Sequence, residues 1–112
     1  MRRDARGAWL AVAVAVHLAV LYWPRPPDVA GGVPHLDLVV HLAVFGAVAW
    51  CAVRAGLRPA VVVGVLLAHA VVSELLQAYV VPERTGDWRD VVADAAGTLV
   101  GVLLARRAAT RS

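Results

Sequence analysis

The sequence predicts an all-α membrane protein: a four-helix transmembrane bundle in a single domain that covers residues 1–112. Two observations support this fold class. Hydrophobic residues make up 61% of the chain, whereas a soluble domain has about 45–50%. These residues also fall into four long blocks separated by short polar stretches, which is the pattern of membrane-spanning helices.

The four hydrophobic blocks define the predicted helices. We place these helices at residues 7–23, 36–53, 59–81 and 90–105. Tyr22 and Trp23 close the first block, where amphipathic rings favour the headgroup region, and Pro59 opens the third, where its missing N–H is tolerated. A spanning helix needs roughly 20 residues, so the fourth block is short. Strands are not expected, because the blocks are long and lack an alternation of apolar and polar residues.

The arginines predict the orientation of these helices. All eleven basic residues are arginines, and eight of them lie on the segments that share a side with the N-terminus. Because cytoplasmic segments carry an excess of positive charge, we expect both termini in the cytoplasm of a multi-pass cell-membrane protein. The arginines flank apolar blocks instead of forming a stripe, so membrane lipids are the expected partners and nucleic acid is not. Cys51 is the single cysteine, which excludes a disulfide within the chain.

Polar residues gather at one end of three predicted helices. Each of these helices contributes a pair of polar side chains three or four residues apart, a spacing that places both on one helix face. Ionisable groups inside a membrane are costly and usually mark a functional site. The predicted binding residues, all expected toward the outer membrane surface, are Asp37, His41, Glu74, Gln77, Arg84, Asp90 and Asp94.

Some of these residues have a simpler explanation. Asp37 and Asp90 lie at predicted helix N-termini, where the helix dipole and capping favour aspartate, with Asp90 as a candidate N-cap. Glu74 lies near the opposite end of its helix, where the dipole disfavours an anion. Glu74 therefore requires a partner, and Arg84 or His41 can supply one.

Two histidines and three glycines also occur within the apolar blocks. We expect His69 to serve helix packing or to make a snorkelling polar contact, while His17 lies at a depth from which it can face the polar residues. The Gly97-x-x-x-Gly101 spacing, and Gly46 likewise, favours close helix packing over chemistry.

The order and spacing of the polar residues form a pattern over residues 37–101. The pattern reads Asp37-x-x-x-His41-x-x-x-Phe45-Gly46, then Glu74-x-x-Gln77, Pro82-x-Arg84 and Asp90-x-x-x-Asp94-x-x-Gly97-x-x-x-Gly101. It resembles the VanZ-like family, small bacterial membrane proteins whose founding member is linked to resistance to the glycopeptide teicoplanin. Members of that family often have Lys, an aromatic residue and Asn where this chain has Leu38, Gly86 and Asp94. The Asp94 difference adds a negative charge and leaves open whether the hydrogen bond usual at that position is kept.

The resemblance implies a cell-envelope factor connected with glycopeptide resistance and gives no mechanism. In one hypothesis the polar residues bind the headgroup of a lipid-linked cell-wall precursor, or a glycopeptide, with Arg84 on phosphate or carboxylate. In a second, the protein is an enzyme that uses acid–base or metal chemistry on a lipid-linked substrate. In a third, the polar residues only hold the helices together. The sequence identifies neither a cofactor nor the oligomeric state, and no metal ligands are assigned.

Overall fold

The computed structural model describes residues 3–22, 36–80 and 88–111, and within them the side chains of residues 5–22, 38–80 and 88–108. These residues form four α-helices and include no strand, which confirms the all-α prediction. The helices are α1 (Arg3–Tyr22), α2 (Leu36–Arg54), α3 (Pro59–Tyr79) and α4 (Trp88–Arg111).

The helix bounds differ most from the prediction in α4. This helix has 24 residues, or about 36 Å at 1.5 Å per residue, so it is not the shortest element. It extends through the basic tail because Ala and Arg are strong helix formers. The prediction followed the apolar block and therefore ended the helix too early. It also includes Trp88, so Asp90 is a first-turn residue and the N-cap interpretation of Asp90 is wrong.

Two helices are long and apolar enough to cross a membrane, α1 over Ala5–Tyr22 and α3 over Pro59–Tyr79. The apolar part of α2, Leu38–Arg54, is shorter. α4 carries charged residues at both ends, which lowers its apolar character.

The contacts between helices give the bundle two distinct ends. Arg6 of α1 contacts Arg54 of α2, and His17 contacts Val44, so α1 and α2 are antiparallel. α2 and α4 are parallel, because His41 pairs with Asp94 near their beginnings while Ala49 lies against Gly101 farther along. We call the end that holds Tyr22, Tyr79 and Trp88 the upper end, and the end that holds Arg6, Arg54 and Arg106 the lower end.

α2 and α4 make the most extensive contact of the bundle. A Cβ atom on Gly97 would collide with the Leu42 carbonyl, and one on Gly101 would collide with the Gly46 carbonyl. Both glycines therefore permit direct backbone contact, as expected for small residues at helix interfaces in membranes. This confirms the prediction that Gly46, Gly97 and Gly101 serve packing.

A tight turn at the lower end joins α2 to α3. Gly56 has a φ of 103°, a left-handed conformation that suits glycine. Leu57 N donates to Ala52 O and Gly56 N donates to Val53 O, which is the hydrogen-bond pattern of a Schellman motif. The turn satisfies two terminal carbonyls of α2 and directs the chain into α3.

Candidate functional site

An imidazole of α2 lies between two carboxylates of α4 in the upper half of the bundle. His41 Nδ1 donates to Asp94 Oδ1 over 2.8 Å, because an ionised carboxylate can only accept. His41 Nε2 lies 3.6 Å from Asp90 Oδ2, so each ring nitrogen faces a carboxylate. The side chains of His41, Asp94 and Asp90 are 6%, 0% and 13% exposed. The imidazole is therefore held in one orientation and shielded from solvent.

The α2–α4 packing explains why these three residues meet. Asp90 and Asp94 are four residues apart in α4 and therefore share a face. Leu42, the residue after His41 in α2, is in backbone contact with Gly97, so this face of α4 packs directly against α2. Thr98 Oγ1 donates to the Asp94 carbonyl of its own helix over 2.8 Å. The Thr98 hydroxyl is therefore engaged with its own backbone.

Glu74 adds a third helix to the site. Its carboxylate is close enough to His41 for an electrostatic interaction between the two. Glu74 also lines a cleft of about 290 Å³ between α3 and α4, where the other walls are mainly apolar. Tyr79 and Trp88 line the same cleft and are 84% and 72% exposed. Among His41, Glu74, Asp90 and Asp94, which we call the His41 cluster, Glu74 is the residue that reaches this open cleft.

The charges of the His41 cluster are mainly negative. Two carboxylates flank one imidazole, and a third, that of Glu74, lies within electrostatic range of it. Asp94 Oδ2 is buried, and within the residues that the structure describes nothing donates a hydrogen bond to it. Carboxylates accept hydrogen bonds from hydroxyl and ammonium groups. The cluster is therefore suited to a ligand that presents donors.

Three of the predicted site residues are not part of this cluster as the structure describes it. Gln77 Nε2 donates to Leu21 O over 2.7 Å, which satisfies a carbonyl in the last turn of α1 that has no partner within its helix. Gln77 therefore joins α3 to α1 instead of facing α4. The side chain of Asp37 and the whole of Arg84 lie outside the described residues.

Three residues form a second polar network, which we call the His17 chain. His17 Nε2 lies 3.2 Å from His69 Nδ1, and Tyr22 Oη lies 2.8 Å from His69 Nε2. His17 Nδ1 lies 3.4 Å from the Val44 carbonyl, and the His17 ring is 4.3 Å from the ring of the fully buried Phe45. The sequence pattern did not predict this network.

The proton positions of the His17 chain follow from its one obligatory acceptor. The Val44 carbonyl can only accept, so His17 Nδ1 donates to it and, in a neutral ring, His17 Nε2 must accept. His69 Nδ1 then donates to His17 Nε2, which leaves His69 Nε2 to accept from the Tyr22 hydroxyl. One arrangement of protons therefore satisfies three contacts and joins α1, α2 and α3. The available signal was the similar depth of His17 and His69 on two parallel helices.

The profile of the VanZ/LLP1 family matches residues 7–109, nearly the whole chain. The chain belongs to the VanZ/LLP1 family. This membership confirms the resemblance that the polar residues indicated. No curated protein and no solved structure matches the chain at a significant level.

At Asp94 the chain departs from the VanZ-like pattern, and the structure shows the hydrogen bond that the side chain makes there. The atom of Asp94 that accepts from His41 is Oδ1, and asparagine has an equivalent amide oxygen. The hydrogen bond to His41 is therefore compatible with either residue in a VanZ/LLP1 protein. Where asparagine would have an amide nitrogen, Asp94 has a second carboxylate oxygen, and this oxygen is buried.

The described side chains offer little to a metal ion. No group of three or more His, Cys, Asp or Glu residues with suitable geometry occurs among them. Ser73, which precedes Glu74, donates to the Ala70 carbonyl of its own helix over 3.0 Å. The His41 cluster can form hydrogen bonds, pair charges and exchange protons through the imidazole.

Proposed function

We propose that this VanZ/LLP1 protein is a multi-pass protein of the cell membrane with four spans and both termini in the cytoplasm. The distribution of polarity supports this proposal, because many large apolar side chains face outward while several polar side chains are buried, which is unusual for a soluble bundle. Each helix has large apolar side chains more than half exposed, among them Val16, Val39, Val65 and Leu103. Polar residues that are at most 5% exposed include His41, Ser73, Gln77, Asp94 and Thr98.

Cysteine labelling tests the proposed orientation. In a Cys51→Ala background, Leu57→Cys places a thiol in the α2–α3 turn, where Leu57 is 49% exposed. We expect a membrane-impermeant maleimide to label this thiol only after the cells are permeabilised. Labelling in intact cells would place the turn outside and contradict the orientation.

We further propose that the His41 cluster binds the polar headgroup of a lipid-linked envelope molecule, in a role connected with glycopeptide resistance. The observation that carries this proposal is the position of Glu74. Its side chain belongs to the His41 cluster and also lines the cleft beside Tyr79 and Trp88. Tyr and Trp favour the membrane–water interface, where headgroups lie. The acidic cluster suits hydroxyl or ammonium groups of the headgroup, and Arg84 is the sequence-predicted contact for its phosphate.

A purely structural role explains the His41 cluster less well. Hydrogen bonds between helices in membranes average about 0.6 kcal/mol, while removing charges from water costs several kcal/mol. α2 and α4 already meet through direct backbone contact at Gly97 and Gly101. Three carboxylates near one imidazole are therefore a poor means of joining two helices that glycines already bring together.

Susceptibility to teicoplanin tests the role in resistance. The deletion strain is complemented with wild type, Glu74→Gln, or Arg106→Gln, which changes an exposed charge at the lower end. We expect wild type and Arg106→Gln to raise the minimal inhibitory concentration, and Glu74→Gln to fail at equal protein levels in the membrane. An intact phenotype for Glu74→Gln would exclude the cluster, and equal susceptibility of the wild-type and deletion strains would exclude the role in resistance.

Acid–base catalysis is a second candidate function, which the 2.8 Å bond between His41 and Asp94 favours. A carboxylate on one imidazole nitrogen fixes the ring orientation and leaves the other nitrogen for proton exchange with a substrate. His41 Nε2 lies 3.6 Å from Asp90, longer than a good hydrogen bond. The Nε2 atom is therefore not strongly engaged.

Two amide variants at His41 separate catalysis from binding in the same teicoplanin assay. His41→Asn keeps a donor near Nδ1 for Asp94, and His41→Gln places an amide near Nε2, but neither exchanges protons as an imidazole does. Catalysis predicts that both variants behave like the deletion strain. Binding predicts that at least one of them retains part of the resistance.

A further inference from the structure

Two arginines at the lower end of the bundle have no acidic partner among the side chains that the structure describes. Arg6 Nη1 donates to the Arg54 carbonyl over 3.2 Å. The Nε atoms of Arg6 and Arg54 are both buried, and neither has a hydrogen-bond partner in the described part of the chain. Within the same residues, neither guanidinium forms an ion pair with a carboxylate. Two partly buried cations therefore lie at the joint between α1 and α2, and no described carboxylate pairs with them.

The free carbonyls at the end of α2 account for only one of the N–H donors of Arg6 and Arg54. The Schellman turn satisfies the carbonyls of Ala52 and Val53, and Arg6 satisfies that of Arg54, which also suits the negative end of the helix dipole. The remaining N–H groups of Arg6 and the side chain of Arg54 are not used in this way. A buried charge without a partner is costly, so the joint favours an anionic ligand.

The surrounding charge favours an anion as well. The carboxylates of the described side chains, those of Glu74, Asp90 and Asp94, all belong to the His41 cluster. The lower end adds Arg58 in the turn and Arg106 in α4, both exposed. An anion at the lower end therefore meets several arginines and no described carboxylate.

We propose that the joint between α1 and α2 binds the phosphate of an anionic phospholipid through the guanidinium groups of Arg6 and Arg54. Guanidinium groups match phosphate oxygens in geometry as well as in charge. A lipid is the source because the joint lies at the end of the apolar helix α1, where a membrane surface meets the protein. This inference rests on the proposed membrane placement and does not involve the His41 cluster.

Lipid retention tests this site directly. The full-length protein is equilibrated in detergent with equal amounts of phosphatidylglycerol and phosphatidylcholine, and native mass spectrometry counts the lipids that stay bound. We expect wild type to retain phosphatidylglycerol preferentially, and Arg6→Gln or Arg54→Gln to lower that retention about tenfold, because each removes charge-assisted hydrogen bonds. Arg58→Gln is the matched control, since it removes an exposed arginine that adds only screened charge to the same end, and we expect it to lower retention far less than either variant of the joint.

Several outcomes would overturn the proposal. An equal loss in Arg58→Gln would indicate general attraction to positive charge, and a wild type without preference would exclude the site. Displacement of the lipid by millimolar inorganic phosphate would assign the site to a soluble anion. If Arg6→Gln or Arg54→Gln does not accumulate, the lysine variants replace them, and retention equal to wild type in both would exclude recognition by the guanidinium groups.

A parallel measurement separates this inference from the proposed function. Carbonate extraction shows whether the protein is integral to the membrane. Release of the protein by carbonate would contradict the proposed membrane placement and this inference with it. A protein that resists carbonate but shows no lipid preference contradicts the phosphate site alone.

Discussion

The α2–α4 pair and the α1–α3 pair solve the same packing problem by different means. α2 and α4 meet backbone to backbone, because Gly97 and Gly101 leave room for the carbonyls of Leu42 and Gly46. α1 and α3 make the least extensive contact of the helix pairs that touch. Beside apolar side chains of the shared core, they are joined by the bond of Gln77 to the Leu21 carbonyl and by the contacts of the His17 chain. Small residues bring one pair together by shape, and hydrogen bonds supplement apolar contacts in the other.

The difference is visible in the space that each pair leaves. Two mainly apolar cavities of about 200 and 260 Å³ lie along α1 and α3, with walls that share Val14, Val48, Val65 and Leu66. α2 contributes to both cavities, so α1 is not closely packed along its length. His41, Asp90 and Asp94 lie on the closely packed α2–α4 pair, which we call the rigid pair and where ligand-binding groups are best held in a fixed geometry. Glu74 joins the cluster from α3.

The largest expected effect is on the rigid pair. Gly97→Leu would place a side chain where the Leu42 carbonyl lies, and neither backbone can move aside as a flexible side chain would. Overpacking typically costs about 1–3 kcal/mol and sometimes more, so we expect loss of the folded bundle. Size-exclusion profiles and membrane levels of the purified variant measure this loss.

Gly64→Leu is the matched control for that substitution. Gly64 lies in the second turn of α3 with no atom near the position of an added Cβ. Leucine is favoured over glycine within a helix by about 1 kcal/mol, so we expect normal or increased stability. Equal damage from both variants would show that α2 and α4 do not depend on close approach at Gly97.

A smaller effect is expected from the polar contact between α2 and α4. A double-mutant cycle of His41→Ala and Asp94→Ala, measured by unfolding in detergent micelles, should give a coupling energy of about 1–3 kcal/mol because the groups are buried and in contact. Thr98→Val is the control partner for His41→Ala, since the Thr98 hydroxyl bonds to its own helix. Coupling no larger than in the control cycle would mean that the 2.8 Å contact contributes nothing to stability.

The sequence predicted the rigid pair better than the looser one. Gly97-x-x-x-Gly101 is a local spacing that indicates close packing whichever helix lies opposite. The spacing of Asp90 and Asp94 likewise defines one face of α4. Such features depend on a single helix, and the structure confirms the packing role of the glycines.

The α1–α3 contacts depend on which helices are neighbours and on how each is rotated. Glu74 and Gln77 are three residues apart, which places them about 60° apart around the helix axis. That angle is enough for Glu74 to approach His41 while Gln77 bonds to Leu21. His17 and His69 are 52 residues apart, and no local pattern relates them. Helical periodicity therefore predicted which residues of α3 lie close together on the helix surface, but not which helix each part of that surface contacts.

The smallest expected effect is in the His17 chain, where it tests whether polar contacts stabilise the two helix pairs to different extents. Tyr22→Phe removes the hydroxyl that lies 2.8 Å from His69 Nε2 and keeps the ring. Hydrogen bonds between membrane helices average about 0.6 kcal/mol, so a cycle of Tyr22→Phe with His69→Phe should give a coupling of about that size. Tyr79→Phe is the matched control, because Tyr79 is 84% exposed and should show no coupling to His69. If the coupling energy of Tyr22 with His69 instead equals that of His41 with Asp94, polar contacts stabilise the two helix pairs equally. The two pairs then differ only in the close packing at the glycines.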